Sequence, residues 1–277
     1  MTITKSKSLK DRNFARLEQL GAGPKRSMGQ NFLVNELIVQ KIVDAAALER
    51  FDQTVEVGPG LGALTDRLIE KSSSLVLVEF DRLFAKYWRE DRGCQVFEVD
   101  ALKANWSEFL GTNSVLVSNL PYQISSRLLV DLSVGKKSPQ RMVLMFQKEV
   151  AQRIQAEHGT SDYSLLSLIA QTFWSSRFLL EAGSIDFYPK PNVASRVLVF
   201  DRRMNMSGDQ QLDFLKFAKL CFEQRKKKLI RRLTSRYDKD AVLRAFEDLK
   251  ISDNTRVGQL GPQVLLTLFQ TLSPLFP

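Results

Sequence analysis

The apolar run Thr54-Val55-Glu56-Val57 breaks into Gly58-Pro59-Gly60-Leu61-Gly62 and resumes at Ala63-Leu64-Thr65-Asp66 with helical spacing. No other stretch restricts the chain so tightly, because strand, glycine turn and helix in immediate succession open a parallel α/β unit. Glycines at 58, 60 and 62 allow positive φ and remove side chains that would hold a ligand off the backbone, while a helix start offers unpaired N–H groups. The turn reads as a nucleotide cradle. About twenty residues on, the run Leu75-Val76-Leu77-Val78 ends in Glu79, where an acid can accept both hydroxyls of a ribose. Taken alone, Gly58-x-Gly60-x-x-Ala63 also fits a dinucleotide-dependent dehydrogenase, or a turn that serves only packing.

Further strands are predicted at 75–79, 95–99, 114–118 and 141–146, with helices near 63–71, 82–90, 105–110 and 123–134 between them. Ahead of them, Asn35 is placed to cap a helix running to about Leu48, with Leu37, Ile38, Ile42, Val43 and Ala46 on one face. After Phe146 come helices near 148–157 and 164–174 and strands near 177–181 and 195–200, which complete the same sheet. Such alternation implies an α/β fold with a parallel sheet covered on both faces, whose ligands bind beyond the carboxyl ends of the strands. The Gly58 turn, Glu79, Asp100 and Asn119 should therefore converge. Residues 1–28 are polar and aperiodic and are expected to form a basic, flexible arm; 29–201 carry the strand–helix alternation. Beyond a polar linker, periodic apolar residues at 212–222, 226–233, 240–249 and 263–271 predict a small all-helical domain over 202–277.

Net charge is +9, distributed as +5 over residues 1–31, −2 over 32–200 and +6 over 201–277. Positive flanks around a nearly neutral centre fit a polyanion gripped at the ends while chemistry proceeds in the middle, and nucleic acid is that polyanion. No run approaches the roughly eighteen apolar residues of a membrane span, and the N-terminal residues lack a signal peptide's apolar core, so a cytoplasmic protein with no membrane partner is expected. Cys94 and Cys221 lie far apart and outside any C-x-x-C pair, which argues against a disulfide framework and against a metal site. The single histidine, His158, lies in a loop-like stretch and reads as a solvated residue rather than a catalytic base.

Asp100 closes the third strand of the alternation, beside Ala101, where a carboxylate can accept from an adenine amino group or simply cap a helix. Ser118-Asn119-Leu120-Pro121-Tyr122 closes the fourth. Pro121 restricts Leu120 to an extended conformation, so that the Leu120 carbonyl and the Asn119 side chain face one target. Two acceptors can hold an exocyclic amine by its two N–H groups while its nitrogen becomes more tetrahedral and its lone pair is aimed at an electrophile. Tyr122 offers an aromatic face to the base, a contact worth roughly 1–3 kcal/mol. Phe187, in the proline-stiffened loop Phe187-Tyr188-Pro189-Lys190-Pro191, is a candidate for the other face of that base. Arg225, Lys226, Lys228 and Arg231, in a helical pattern with Phe222, Leu229 and Ile230, are the candidate phosphate contacts.

With these residues in view, the chain resembles the ribosomal RNA adenine dimethyltransferases, in their bacterial small-subunit branch. The resemblance rests on motifs in order: Gly29-Gln30-Asn31-Phe32-Leu33, Glu56-Val57-Gly58-Pro59-Gly60-Leu61-Gly62, Glu79-Phe80-Asp81, Asp100-Ala101, Asn119-Leu120-Pro121-Tyr122, Phe146-Gln147-Lys148-Glu149-Val150, the Phe187 loop, and Phe222-x-x-Arg225. It implies a Rossmann-like S-adenosylmethionine-dependent methyltransferase catalytic domain over 29–201, followed by a helical RNA-recognition domain over 202–277, with no metal. By that resemblance Asn31 and Leu33 close over the cofactor, Gly58 and Gly60 approach its methionine part, and Glu79 holds the ribose. Asp100 and Ala101 meet the adenine, Asn119 borders both cofactor and target amine, and Leu120, Tyr122 and Phe187 serve the target adenine. The implied reaction dimethylates two adjacent adenines in a hairpin loop near the 3′ end of small-subunit rRNA, by a monomer acting in the cytoplasm on a ribosomal assembly particle. The large-subunit, antibiotic-resistance branch and an assembly factor with weak catalysis are the alternatives. Asn192-Val193-Ala194-Ser195 stands where Lys-Val-Asp-Ser is usual, and the basic run is richer in lysine than its relatives.

Overall fold

Ser8 opens the first helix, α1 (Leu9–Gln19), by accepting a hydrogen bond from Asp11 N at 3.2 Å on its Oγ, one of the partners a helix start lacks. In the computed structural model, which describes residues 8–25, 29–135, 137–203 and 206–273, this helix is docked. The expected flexible arm is thereby corrected for its described part. Leu9, Asn13, Arg16 and Leu17 form the buried face of α1. Two of these are polar, and each reaches a main-chain carbonyl: Asn13 Nδ2 donates to Leu33 O at 3.0 Å and Arg16 Nη1 to Leu61 O. A half-polar face leaves no apolar period of 3.6 to read in the sequence.

The short strand β1 (Phe32–Leu33) precedes α2 (Glu36–Ala46), which Asn35 caps by accepting from Leu37 N and Ile38 N at 3.0 and 3.3 Å. Ile38, Val39, Ile42, Val43 and Ala46 are buried, whereas Leu37, expected on that face, is 74% exposed. Five parallel strands follow: β2 (Gln53–Val57), β3 (Leu75–Glu79), β4 (Gln95–Glu98), β5 (Ser114–Asn119) and β6 (Arg141–Gln147). They alternate with α3 (Thr65–Lys71), α4 (Arg82–Lys86), α5 (Trp106–Phe109) and α6 (Tyr122–Ser133). The predicted helix over 82–90 ends early, giving way at Tyr87–Asp91 to a wider π-helical turn. α7 (Lys148–Ile154) and α8 (Leu165–Phe173) then lead into β7 (Trp174–Ala182), the two-residue β8 (Phe187–Tyr188) and β9 (Ser195–Arg202).

The sheet runs β4-β3-β2-β5-β6-β9-β7, with β9 antiparallel to β6, so the tail of strands completes it as expected. A separate ribbon pairs β1 with β8, setting Phe32 opposite Tyr188 and Leu33 opposite Phe187. β2, β3, β5 and β6 are buried nearly throughout, as strands covered on both faces must be. From β2 the chain steps outward through β3 and β4, then crosses back to lay β5 on the other side of β2. That reversal makes the carboxyl ends of β2 and β5 a topological switch point, where open α/β sheets hold their ligands.

The chain divides into two compact units. The first comprises Met1–Leu132, Lys137–Ala151 and Ser176–Arg202, and holds most of the sheet with α1 to α5. The second comprises Ser133–Lys136, Gln152–Ser175 and Arg203–Pro277, so the expected boundary at residue 202 is only the last of several crossings. Besides α8 it contains α9 (Gly208–Phe222), α10 (Leu229–Leu233), α11 (Lys239–Asp248) and α12 (Pro262–Leu272). Its core is aromatic: the Phe214 ring lies 5.9 Å from Phe173 and 5.4 Å from Phe269, and Phe217 lies 5.6 Å from Phe269. The predicted helix over 226–233 is corrected to the five residues of α10, and Arg225, Lys226 and Lys227 lie in the turn before it.

Candidate active site

At the end of β2 the chain reverses through Gly58, Gly60 and Gly62, whose φ values are +67°, +48° and +83°. All three need the left-handed region, yet they serve two purposes. Gly58 and Gly60 line a cavity of about 260 Å³, whereas a Cβ on Gly62 would enter the Trp88 ring and come within 2.5 Å of Arg16 Nη1. Gly62 is a packing glycine. Trp88 Nε1 donates to Gly60 O at 2.9 Å and Arg16 to Leu61 O, so the outer side of the turn is held by side chains and its inner side is left bare. Arg16 also pairs with Asp66 at 2.7 Å.

Two strand ends, those of β3 and β4, bring three carboxylates to this cavity. Glu79, at the end of β3, accepts from Gly60 N at 3.2 Å and from Asp81 N at 2.8 Å. Burial pushes its carboxyl up to about 7 despite those donors. Asp81 uses one oxygen to accept from Leu83 N at 3.1 Å and the other to receive Lys25 Nζ at 2.9 Å and Gln30 Nε2 at 3.1 Å. The segment carrying Gln30 and Asn31 is thereby tied to the rim. Asp100 accepts from Leu102 N at 2.9 Å through Oδ1, so the helix-capping and ligand readings of this residue are compatible.

Asn119 closes β5. Its Nδ2 donates to Asn31 O at 3.2 Å, while Asn31 Nδ2 donates to Gly29 O at 3.1 Å. With the amide nitrogen committed, Oδ1 remains as the acceptor of Asn119. Leu120 is 1% exposed, so what it offers a ligand is backbone. Tyr122 lines the cavity, and its hydroxyl hydrogen-bonds Ser195 Oγ at 2.7 Å; Ser195 is fully buried in β9. Burial raises the tyrosine pKa, so the hydroxyl stays protonated and the ring is held by an uncharged contact.

Asn31, Leu33, Gly58, Gly60, Glu79, Asp100, Ala101, Asn119, Leu120 and Tyr122 thus all border one cavity. Phe187 does not. Its ring is 2% exposed and packs in the core with Leu33, Val197 and Val199. The structure thus does not bring Phe187 to the cavity wall, where it was expected to cover a face of the target base. The basic residues lie in the second unit. Lys226, Lys228 and Arg231 are exposed there, but Arg225 donates from Nη1 to Ser161 O and from Nη2 to Thr160 O, both at 2.9 Å, and so braces its own unit. His158 is exposed in a turn, as expected of a solvated loop residue, with its Nδ1 3.2 Å from Gln259 O.

Three contributors escaped the sequence reading. Phe80 borders the cavity with a ring 63% exposed, and the only signal for it is an aromatic directly after a strand-ending acid. Ser195 is visible only through its partner Tyr122. Glu56 lines the cavity from within β2, 2% exposed, with no hydrogen-bond partner for Oε2. An orphaned carboxylate oxygen beside a bare glycine backbone, acids placed for hydroxyl and amino groups, and an apolar rim of Phe80, Val78 and Ala101 together fit a nucleoside ligand that carries positive charge.

Comparison with known proteins leads the same way. Residues 22–273 match the family model described as ribosomal RNA adenine dimethylase. A protein of Bdellovibrio bacteriovorus called ribosomal RNA small subunit methyltransferase A is 40% identical over 259 residues, covering 91% of this chain and 94% of that protein. Among solved structures, a dimethyladenosine transferase from Plasmodium falciparum superposes with a TM-score of 0.72 at 24% identity, over 86% of this chain and 96% of that one. The 23S rRNA methyltransferase ErmE gives 0.64 at 24% identity, over 88% of this chain and 100% of that one. Both structures share the Rossmann-like fold.

Proposed function

From the premise that this chain belongs to the ribosomal RNA adenine dimethylase family, we propose that the cavity at the β2 and β5 ends is where an adenine amine of rRNA meets S-adenosylmethionine. The protein is an S-adenosylmethionine-dependent rRNA adenine dimethyltransferase of the small-subunit type. The observation that carries the site reading is the Asn119 amide, whose nitrogen is fixed on Asn31 O and whose oxygen is left as acceptor beside Glu79, Asp100 and Tyr122.

When bound, the cofactor supplies an electrophilic methyl group. The chain's own residues then do the following. Glu79 accepts the ribose hydroxyls, Asp100 accepts from the adenine amino group, and Ala101 with Phe80 provides the apolar surface against which that adenine lies. Asn31 and Leu33 close the rim, and Gly58 and Gly60 let the methionine part approach the main chain. Asn119 Oδ1 and the Leu120 carbonyl would hold the N–H groups of the target amine, two before the first transfer and one before the second, leaving the nitrogen lone pair free to turn out of conjugation. No base is required before transfer, since the proton leaves to water once the C–N bond has formed. Tyr122, steadied by Ser195, stacks on the target adenine; a base already in a loop costs less to extrude.

The helical unit is assigned to RNA recognition and the protein to the cytoplasm, as a monomer acting on a ribosomal assembly particle. Among the described residues no helix is long and apolar enough to cross a membrane. Replacing Lys226, Lys228 and Arg231 together with alanine is expected to reduce the slope of log affinity against log salt by about two to three, because each phosphate contact contributes nearly one. An unchanged slope would assign these side chains to a solvated surface. Arg225→Ala should behave differently, lowering thermal stability through its two lost carbonyl contacts with little change in that slope.

The function is tested by methyl transfer from labelled S-adenosylmethionine to purified small ribosomal subunits lacking these modifications, followed by nucleoside mass analysis. Dimethyladenosine in small-subunit rRNA is expected. Label entering large-subunit rRNA instead would move the substrate to the antibiotic-resistance branch.

A further inference from the structure

Two acids in the cavity wall, Glu56 and Asp81, are left idle by the reaction as described, and Asp81 is satisfied by Lys25, Gln30 and Leu83 N. Glu56 sits in β2 two residues before Gly58, 2% exposed, and Oε2 has no partner. Its surroundings are acidic: Glu79 faces it from β3, Asp66 from α3, and Cys94 from the segment before β4. Thr65 Oγ1 lies close enough to ease its ionisation but outside hydrogen-bonding geometry. Arg16 and Arg92 do not neutralise it, being drawn to Asp66 at 2.7 and 3.9 Å. Asp81 and Asp100 add further negative charge around the cavity.

We propose, resting on the cofactor reading above, that Glu56 is the counter-charge for the cationic methionine part of S-adenosylmethionine and ionises as the cofactor enters, releasing a proton to solvent. A buried carboxyl with no cation beside it stays protonated; bringing positive charge to the cavity reverses the balance. Burial first, then the neighbouring acids, push Glu56 up to about 8, so the empty site carries its proton at neutral pH. Binding and deprotonation are then linked. The proton goes to buffer, the carboxylate pairs with the incoming cation, and no electrons are exchanged. Below about pH 8 cofactor affinity should fall about tenfold per pH unit, and above it level off. Glu79, raised to about 7 and already holding two backbone N–H groups, contributes only at lower pH.

Calorimetric titration of the full chain with S-adenosylmethionine at pH 7.5, in buffers of low and high ionisation enthalpy, reads the protons released. Up to about one is expected for the unaltered protein, given a group titrating near 8. Glu56→Gln should bind with most of that release gone and with its affinity nearly flat from about pH 7.5 to 8.5, above the range in which Glu79 titrates. Adenosine, which carries no positive charge, should release none from the unaltered protein, a comparison that needs no variant. Tight binding without proton release, undiminished release from Glu56→Gln, or equal release with adenosine would each overturn the proposal. Failure of the unaltered protein to bind S-adenosylmethionine at any pH would instead bring down the cofactor reading itself.

Discussion

Asn119→Ala is expected to lower the rate of methyl transfer by about 10²–10³-fold, the scale on which removal of one hydrogen-bonding group aimed at a transition state is felt. The loss should fall on kcat. Asn119 Oδ1 strengthens its hold as the amine nitrogen becomes tetrahedral, so its contribution belongs to the transition state more than to the bound adenine. The fold should survive, because the Asn119 side chain is only partly buried and its single internal contact is a hydrogen bond to Asn31 O. Single-turnover transfer to small subunits, with circular dichroism and S-adenosylmethionine affinity on the same samples, separates these effects. A folded, cofactor-binding variant with near-normal turnover would remove Asn119 from the chemistry.

Gly62→Ala is the second large effect, and it falls on stability. Two costs add. Holding an alanine at φ +83° costs about 1–2 kcal/mol, and the new methyl must displace the Trp88 ring or the Arg16 guanidinium, an overpacking worth about 1–3 kcal/mol. Trp88 is fully buried and donates to Gly60 O, so it cannot yield without loosening the turn. A loss of about 3 kcal/mol corresponds to a melting temperature lower by about 6–12 °C in a chain of this size. Gly93→Ala is the control: its φ is +66°, but nothing lies within 4 Å of the added Cβ, so it carries the conformational cost alone. Equal melting temperatures for the two variants would show that packing at Gly62 costs nothing.

The legible parts of this molecule were those that a single strand end announces. Glu79, Asp100 and Asn119 could be placed together from sequence because each terminates an apolar run, and parallel strands deliver their carboxyl ends to one edge. What failed depended on partners distant in sequence. Phe187 looked like a ring for stacking because its loop is stiff with proline; in the structure it is 2% exposed, in one core cluster with Leu33, more than 150 residues away. α1 was unreadable because Asn13 and Arg16 bury polar groups against carbonyls at 33 and 61, which no periodicity reports. Arg225 resembled its basic neighbours until Thr160 and Ser161 were seen to occupy its guanidinium. Glu56 sits in the most conspicuous motif of the chain, yet a carboxylate in a strand reads as an outward-facing residue unless the sheet is known to be covered on both sides.

The chain visits its helical unit twice before entering it for good, contributing Ser133–Lys136 and then Gln152–Ser175 ahead of Arg203–Pro277. Genetically, then, the two units are not beads on a string. A fragment ending at residue 202 would carry α8 without α9 and α12, which pack on it, and a fragment beginning at 203 would leave Phe214 without Phe173. A crossover at residue 202 or 203 would part elements that pack on one another, and a graft of the helical unit has to move the α8 segment and the C-terminal helices as a matched set.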